Sequence, residues 1–114
     1  MKCFLKKVFQ RISPLPKSGF IEIKKSGFKW RINLESCVGK SIAENGVWEP
    51  KTTDVVQKIV KPGMYVLDIG ANFGYYTVLM AQIIGPEGKI WAFEPVKKFR
   101  EQLKWHIDHN EFND

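Results

Sequence analysis

Residues 64–69 read Met-Tyr-Val-Leu-Asp-Ile and residues 70–74 read Gly-Ala-Asn-Phe-Gly, so a short apolar run closes on a carboxylate and opens at once into a glycine-bounded loop. A nearly unbroken apolar run of this length is the pattern of a parallel strand buried on both faces. Gly74 through Ile84 then carries helix formers with an apolar face of Tyr76, Leu79, Met80 and Ile83, and Gly85-Pro86 stops it. Residues 89–94, Lys-Ile-Trp-Ala-Phe-Glu, form a second strand. Pro95 suits the first turn of another helix, on which Val96, Phe99, Leu103 and Ile107 recur on one side until Asn110. Strand, helix, strand, helix demands parallel strands joined by crossovers. The fold class is therefore α/β, a doubly wound sheet whose ligand site lies beyond the carboxyl ends of the strands.

The residues ahead of this unit are organised differently. Phe4, Leu5, Val8, Phe9 and Ile12 alternate with Lys2, Lys6, Lys7 and Arg11, which predicts a basic amphipathic helix ended by Ser13-Pro14-Leu15-Pro16. Residues 1–19 form this helix and a linker, and residues 20–114 the α/β domain. From Phe20 to Leu34 the alternation is broken by Lys25-Ser26-Gly27, which predicts a β-hairpin. Asn45-Gly46 marks a turn. Thr52, Thr53 and Asp54 offer capping oxygens to a helix carrying the stripe Val55, Val56, Ile59 and Val60, and Pro62-Gly63 ends it.

Charge and composition limit the partners. The net charge of +6 lies wholly in the first half, where residues 1–50 hold ten Lys or Arg against four Glu, while residues 51–114 hold eight of each sign. A basic amphipathic segment offers residues 1–12 to an anionic membrane surface, and an arm packed on its own domain is the plainer alternative. No stretch of about 18 apolar residues and no signal-peptide pattern occurs, so a cytoplasmic location is expected by default. Cys3 and Cys37 stand apart with no ligand spacing around them, so both read as ordinary thiols and no metal is expected. His106 and His109, three residues apart, read as surface positions. The four tryptophans fit core strands at least as well as a base-stacking surface, so no nucleic acid is expected.

The chemistry concentrates in residues 68–74 and at Glu94. Gly70 and Gly74 let the backbone turn sharply and approach a ligand without a Cβ in the way, and Asn72 is one of the few residues that tolerate left-handed geometry. The helix that follows presents free amide donors suited to a carboxylate or a phosphate. Asp68 separates the two. At the strand end it repels a pyrophosphate and attracts an ammonium or a sulfonium, worth on the order of 4 kcal/mol at about 4 Å and an effective dielectric near 20 before desolvation. Asn72 also stands where the second glycine of the dinucleotide fingerprint would be. Glu94 ends the second strand, 20 residues after Gly74, where an acidic side chain accepts both ribose hydroxyls. Two carboxylates bracketing one nucleoside imply S-adenosylmethionine as the cofactor.

On Val66-Leu67-Asp68-Ile69-Gly70-Ala71-Asn72-Phe73-Gly74-Tyr75-Tyr76-Thr77, on Ala92-Phe93-Glu94-Pro95 and on Trp48-Glu49-Pro50, the chain resembles the FkbM-type methyltransferases of the Rossmann-like class I group. The resemblance covers roughly residues 28–114. It implies that Asp68, Gly70, Asn72 and Gly74, with Ala71 and Thr77 of the same motif, line the methionine end of S-adenosylmethionine, that Glu94 holds the ribose, and that Glu49 is a weaker cofactor position. It implies methyl transfer to an oxygen of a small molecule or sugar. The class I sheet is expected to be truncated here after its second core strand and helix, so no catalytic residue is assigned and the chain is expected to be inactive alone and weakly stable. The alternative from another class is a non-catalytic basic α/β fragment that binds anionic lipid, nucleic acid or a complementary chain. A nicotinamide-linked dehydrogenase is a third.

Overall fold

The computed structural model describes residues 19–112, so the amphipathic helix expected over residues 1–12 and most of its linker lie outside the described residues. The chain divides into two compact units, the first ending at Trp48 and the second beginning at Glu49.

In the first unit, β1 (Phe20–Lys25) and β2 (Phe28–Asn33) form the expected antiparallel hairpin, with Ile21 opposite Ile32 and Ile23 opposite Trp30. Ser26 and Gly27 both take positive φ, 51° and 85°. That is the geometry of the two-residue turn whose twist matches its flanking strands. Period-two alternation sends Ile21, Trp30 and Ile32 to one face, where each is buried. A helix absent from the sequence reading, α1 (Cys37–Asn45), packs on this hairpin. Its signals are local. Ser36 caps it by accepting the Gly39 N–H at 2.9 Å, Ile42 and Ala43 are buried, and Gly46 ends it in left-handed geometry.

The second unit opens with α2 (Pro50–Ile59), which begins at Pro50 rather than after the Thr52-Thr53-Asp54 capping group. Its inward face also differs from the expected stripe. Thr53 is buried and Val56 half-buried, whereas Val55 and Ile59 are exposed, because helical spacing from the buried Val60 selects residues 53 and 56. Then follow β3 (Tyr65–Ile69), α3 (Tyr75–Ile84), β4 (Lys89–Phe93) and α4 (Lys97–His109). The strands pair in parallel with Asp68 opposite Ala92 and Ile69 opposite Phe93, as the crossover requires. Pro95 stands just outside α4, which Val96 caps.

Two burial patterns depart from expectation. Helix α3 is buried nearly all round, through Tyr75, Thr77, Val78, Leu79, Met80, Ala81 and Ile84, rather than along one face. Strands β3 and β4 are not buried on both sides. Val66 and Ile90 pack with Met80, Ile84 and Val60, while Tyr65, Leu67, Ile69, Trp91 and Phe93 are exposed on the other face. A single crossover helix covers one face of a two-stranded sheet and leaves the other open. Among the described residues, no helix is long and apolar enough to cross a membrane.

A side chain at position 39 tests the packing of α1 on the hairpin, because a Cβ there would overlap the carbonyl oxygen of Asn33. Backbone cannot swing aside as a side-chain end can. Gly39→Ala is expected to destabilise the first unit by about 1–3 kcal/mol, read from denaturant unfolding followed by tryptophan fluorescence. An unchanged midpoint would contradict the packing described.

Candidate functional site

The loop from Gly70 to Gly74 leaves β3 at its carboxyl end, beyond the last paired residues of the ladder, Ile69 and Phe93. The second βα unit supplies the partners instead. The carbonyl of Phe93, the last residue of β4, accepts the N–H of Gly70 at 2.8 Å and that of Ala71 at 3.0 Å. Carrying the strand register one step further sets Glu94 opposite Gly70. Its carboxylate reaches across the loop, accepting the Asn72 N–H on Oε2 at 2.9 Å and the Val96 N–H on Oε1 at 2.8 Å. Glu94 thus stitches the loop to the start of α4. Each of its oxygens keeps an acceptor position, since a carboxylate has about four lone-pair sites.

Asn72 adopts the left-handed conformation expected of it, with φ 55°, and its Oδ1 accepts the Phe73 N–H at 2.8 Å. Gly74 has φ 96° and initiates α3 with no side chain capping the helix. A Cβ on Gly74 would overlap Cδ1 of Leu103 on α4, so glycine is needed both for conformation and for contact. Gly70 differs. With φ 79° it has nothing within 4 Å of where a Cβ would stand, so the backbone there is open to close approach.

Asp68 points from the half-buried face of β3, and its Oδ2 accepts the Thr77 hydroxyl at 2.5 Å. Thr77 is only 2% exposed, so the structure makes it a holder of Asp68 within the protein rather than part of the loop's outer surface. Ala71 is likewise buried, and its contribution is its backbone. Glu49 takes a left-handed φ of 42° at the start of α2 and accepts the Tyr76 phenol on Oε2 at 2.9 Å. The sequence-derived residues therefore gather around one end of the sheet, with Asp68 and Glu94 flanking the loop and Glu49 tied to the first turn of α3. Among the described residues, no three His, Cys, Asp or Glu side chains cluster as a metal site.

Sequence reasoning missed two contributors. His106 is not a surface residue. It is fully buried, and its Nδ1 lies 2.7 Å from the carbonyl oxygen of Phe73. Its position on the apolar side of α4, three residues after Leu103, is the signal that places it inward. His109 is exposed, as expected. The other is Tyr76. Burial, then the hydrogen bond to Glu49 and that carboxylate's charge, push its pKa above the ordinary 10.0.

The family model for protein-L-isoaspartate(D-aspartate) O-methyltransferase matches residues 5–113. The protein-L-isoaspartate O-methyltransferase of Methanothermobacter thermautotrophicus is 46% identical over 45 residues, 40% of this chain and 21% of its own. That of Aeropyrum pernix is 33% identical over 48 residues, 42% of this chain and 18% of its own. A putative rRNA 2′-O-methyltransferase fibrillarin 3 of Arabidopsis thaliana is 38% identical over 63 residues, 48% of this chain and 22% of its own. The chain thus spans about a fifth of the length of the curated relatives it matches. These matches replace the FkbM-type group with a different methyltransferase family, since that resemblance rests on three short motifs whereas the family model matches residues 5–113.

Two outcomes check this site. Gly74→Ala is expected to destabilise the second unit by about 1–3 kcal/mol, because it combines left-handed strain with overlap of Leu103, and calorimetric unfolding measures it. The raised Tyr76 pKa favours the protonated phenol in the folded state, so its contribution to stability is whole below pH 10.0 and is lost as pH rises through the raised value. In an ultraviolet titration, Tyr76→Phe removes a phenolate transition above that pH, and Glu49→Gln moves it down. A Tyr76 transition at or below the ordinary value would contradict the pairing.

Proposed function

The chain belongs to the protein-L-isoaspartate(D-aspartate) O-methyltransferase family of S-adenosylmethionine-dependent methyltransferases, and from that premise we propose that residues 68–94 bind S-adenosylmethionine for methyl transfer to a carboxylate oxygen. The observation that carries this reading is the pair of carboxylates, Asp68 and Glu94, at the ends of two adjacent parallel strands on either side of one open glycine loop. The residues fit the cofactor. Gly70 gives the close backbone approach, Asp68 supplies a negative charge for a cationic centre, and Glu94 keeps acceptor positions for two ribose hydroxyls. The loop contains no lysine or arginine for a phosphate.

When bound, S-adenosylmethionine supplies a methyl group on a cationic sulfur that departs as a neutral thioether. The protein's share is placement. Thr77 fixes the Asp68 carboxylate by hydrogen bonding one oxygen, and the side chains of Asn72 and Glu94 fix the loop backbone. Holding a nucleophilic oxygen and the methyl at attack distance is the main source of acceleration in such a displacement. Asp68 and Glu94 are positioning groups in this scheme, without acid–base roles.

The acceptor follows from the family name, an L-isoaspartyl carboxylate of a protein. A small-molecule or sugar hydroxyl, implied by the motif resemblance, is the competing acceptor, and the products differ chemically. Labelled methyl groups transferred to an isoaspartyl peptide form an ester that mild base releases as methanol, whereas a methyl ether survives. Calorimetry on the 114-residue chain tests the cofactor half. Binding of S-adenosylmethionine is expected, weakened about tenfold or more by Asp68→Ala and again by Glu94→Ala, consistent with loss of charge-assisted contacts. Heat with NAD and none with S-adenosylmethionine would overturn the reading in favour of a dehydrogenase, and salt-sensitive binding to anionic vesicles or RNA alone would favour the non-catalytic alternative.

A further inference from the structure

Helix α4 lies outside the glycine motif, yet two of its residues touch the loop. Leu103 packs against the Cα side of Gly74, where no Cβ fits, and His106 lies one turn further along the same face. The imidazole is 0% exposed, and its ring stands edge-on to Phe73 with centroids 5.6 Å apart. A carbonyl oxygen can only accept, so at 2.7 Å from the Phe73 oxygen Nδ1 must carry a hydrogen and donate.

Phe73 explains why that donor is needed. It is 8% exposed and lies between a strand and a helix, so neither element satisfies its peptide groups. Its N–H goes to the side chain of Asn72, and its C=O goes to His106. A buried carbonyl without a partner is costly enough to reshape a short loop that is free to turn outward toward water. Turning the Phe73 peptide would move both neighbours, Asn72 in its left-handed conformation and Gly74 at the helix start.

We propose that His106 is a positioning residue for the cofactor loop, its buried Nδ1–H fixing the Phe73 peptide so that Asn72 and Gly74 hold the shape that receives S-adenosylmethionine. The cofactor part of this inference rests on the reading given above. The loop part stands on the geometry alone. His106 touches no cofactor and acts through backbone, so its removal changes affinity by loosening a preorganised site.

The test compares His106→Phe, which keeps a ring against Phe73 and deletes the donor, with His106→Asn, whose amide nitrogen reproduces a donor near the Nδ1 position. Amide hydrogen exchange in the 114-residue chain is read at Asn72 and Gly74, with the β1–β2 hairpin amides as internal reference. The expected result is loop exchange about tenfold faster in His106→Phe at unchanged hairpin exchange, restored toward wild type in His106→Asn, with S-adenosylmethionine affinity falling and recovering in parallel. Unchanged loop exchange or unchanged affinity in His106→Phe overturns the proposal. If His106→Phe does not fold, His106→Asn decides it. Wild-type loop protection upholds the role, and a loop released to the same tenfold overturns it. A wild-type chain that gives no heat with S-adenosylmethionine, yet shows the exchange difference, overturns the cofactor reading while upholding His106 as the residue that fixes the loop.

Discussion

The carbonyl oxygen of Phe93 takes two loop amides, those of Gly70 and Ala71, and much of the second unit is organised around that junction. A loop that leaves the end of a strand has lost its ladder partners, and its polar groups must be satisfied where they lie. Here the next strand in sequence serves, because the parallel register ends β4 beside the start of the loop. The same register delivers Glu94 one residue later. The backbone amides of Asn72 and Val96 are then held by one side chain, which ties the loop to the start of α4 at a single corner.

The corner holds two carboxylates and, beside Glu94, the guanidinium of Arg100, which donates to the backbone carbonyls of Glu94 and Pro95. Asp68 and Glu94 bring two carboxylates to the loop, while among the described residues the pairs Lys58 with Asp54, Lys97 with Glu101 and Lys104 with Asp108 lie along exposed helix faces. Surface pairs at this spacing contribute little stability. The Asp68 carboxylate accepts the Thr77 hydroxyl, and that of Glu94 accepts the backbone amides of Asn72 and Val96. On the proposed reading, that negative charge favours a sulfonium over a pyrophosphate. It agrees with a methyltransferase family match that extends well beyond the loop.

Legibility in the sequence followed the range of the interaction involved. The hairpin, the parallel pair and helices α3 and α4 were readable because each is written in local periodicity and in its stop signals. Helix α1 was overlooked although Ser36, Ile42, Ala43 and Gly46 spell it out, because its apolar side chains are too few to draw a helical stripe. Position along a helix was harder than presence. Val55 and Ile59 read as core and are exposed, and burial on α3 extends beyond the expected face to Tyr75 and Thr77, because the inward face depends on which neighbours exist to cover it.

By itself the sequence determined the α/β class, the strand–loop–helix corner and the identity of the carboxylates flanking it, since glycine spacing, a left-handed asparagine and charge at strand ends are properties of adjacent residues. Tertiary structure alone decided how those groups are employed. Thr77 turns inward to Asp68, Glu94 closes on Asn72, Leu103 excludes any side chain from position 74, and His106 reaches the Phe73 carbonyl across a separation of 33 residues. Partners so distant in the chain leave no periodic trace, because a hydrogen bond is selected by three-dimensional proximity and by the cost of burying a polar group unpaired.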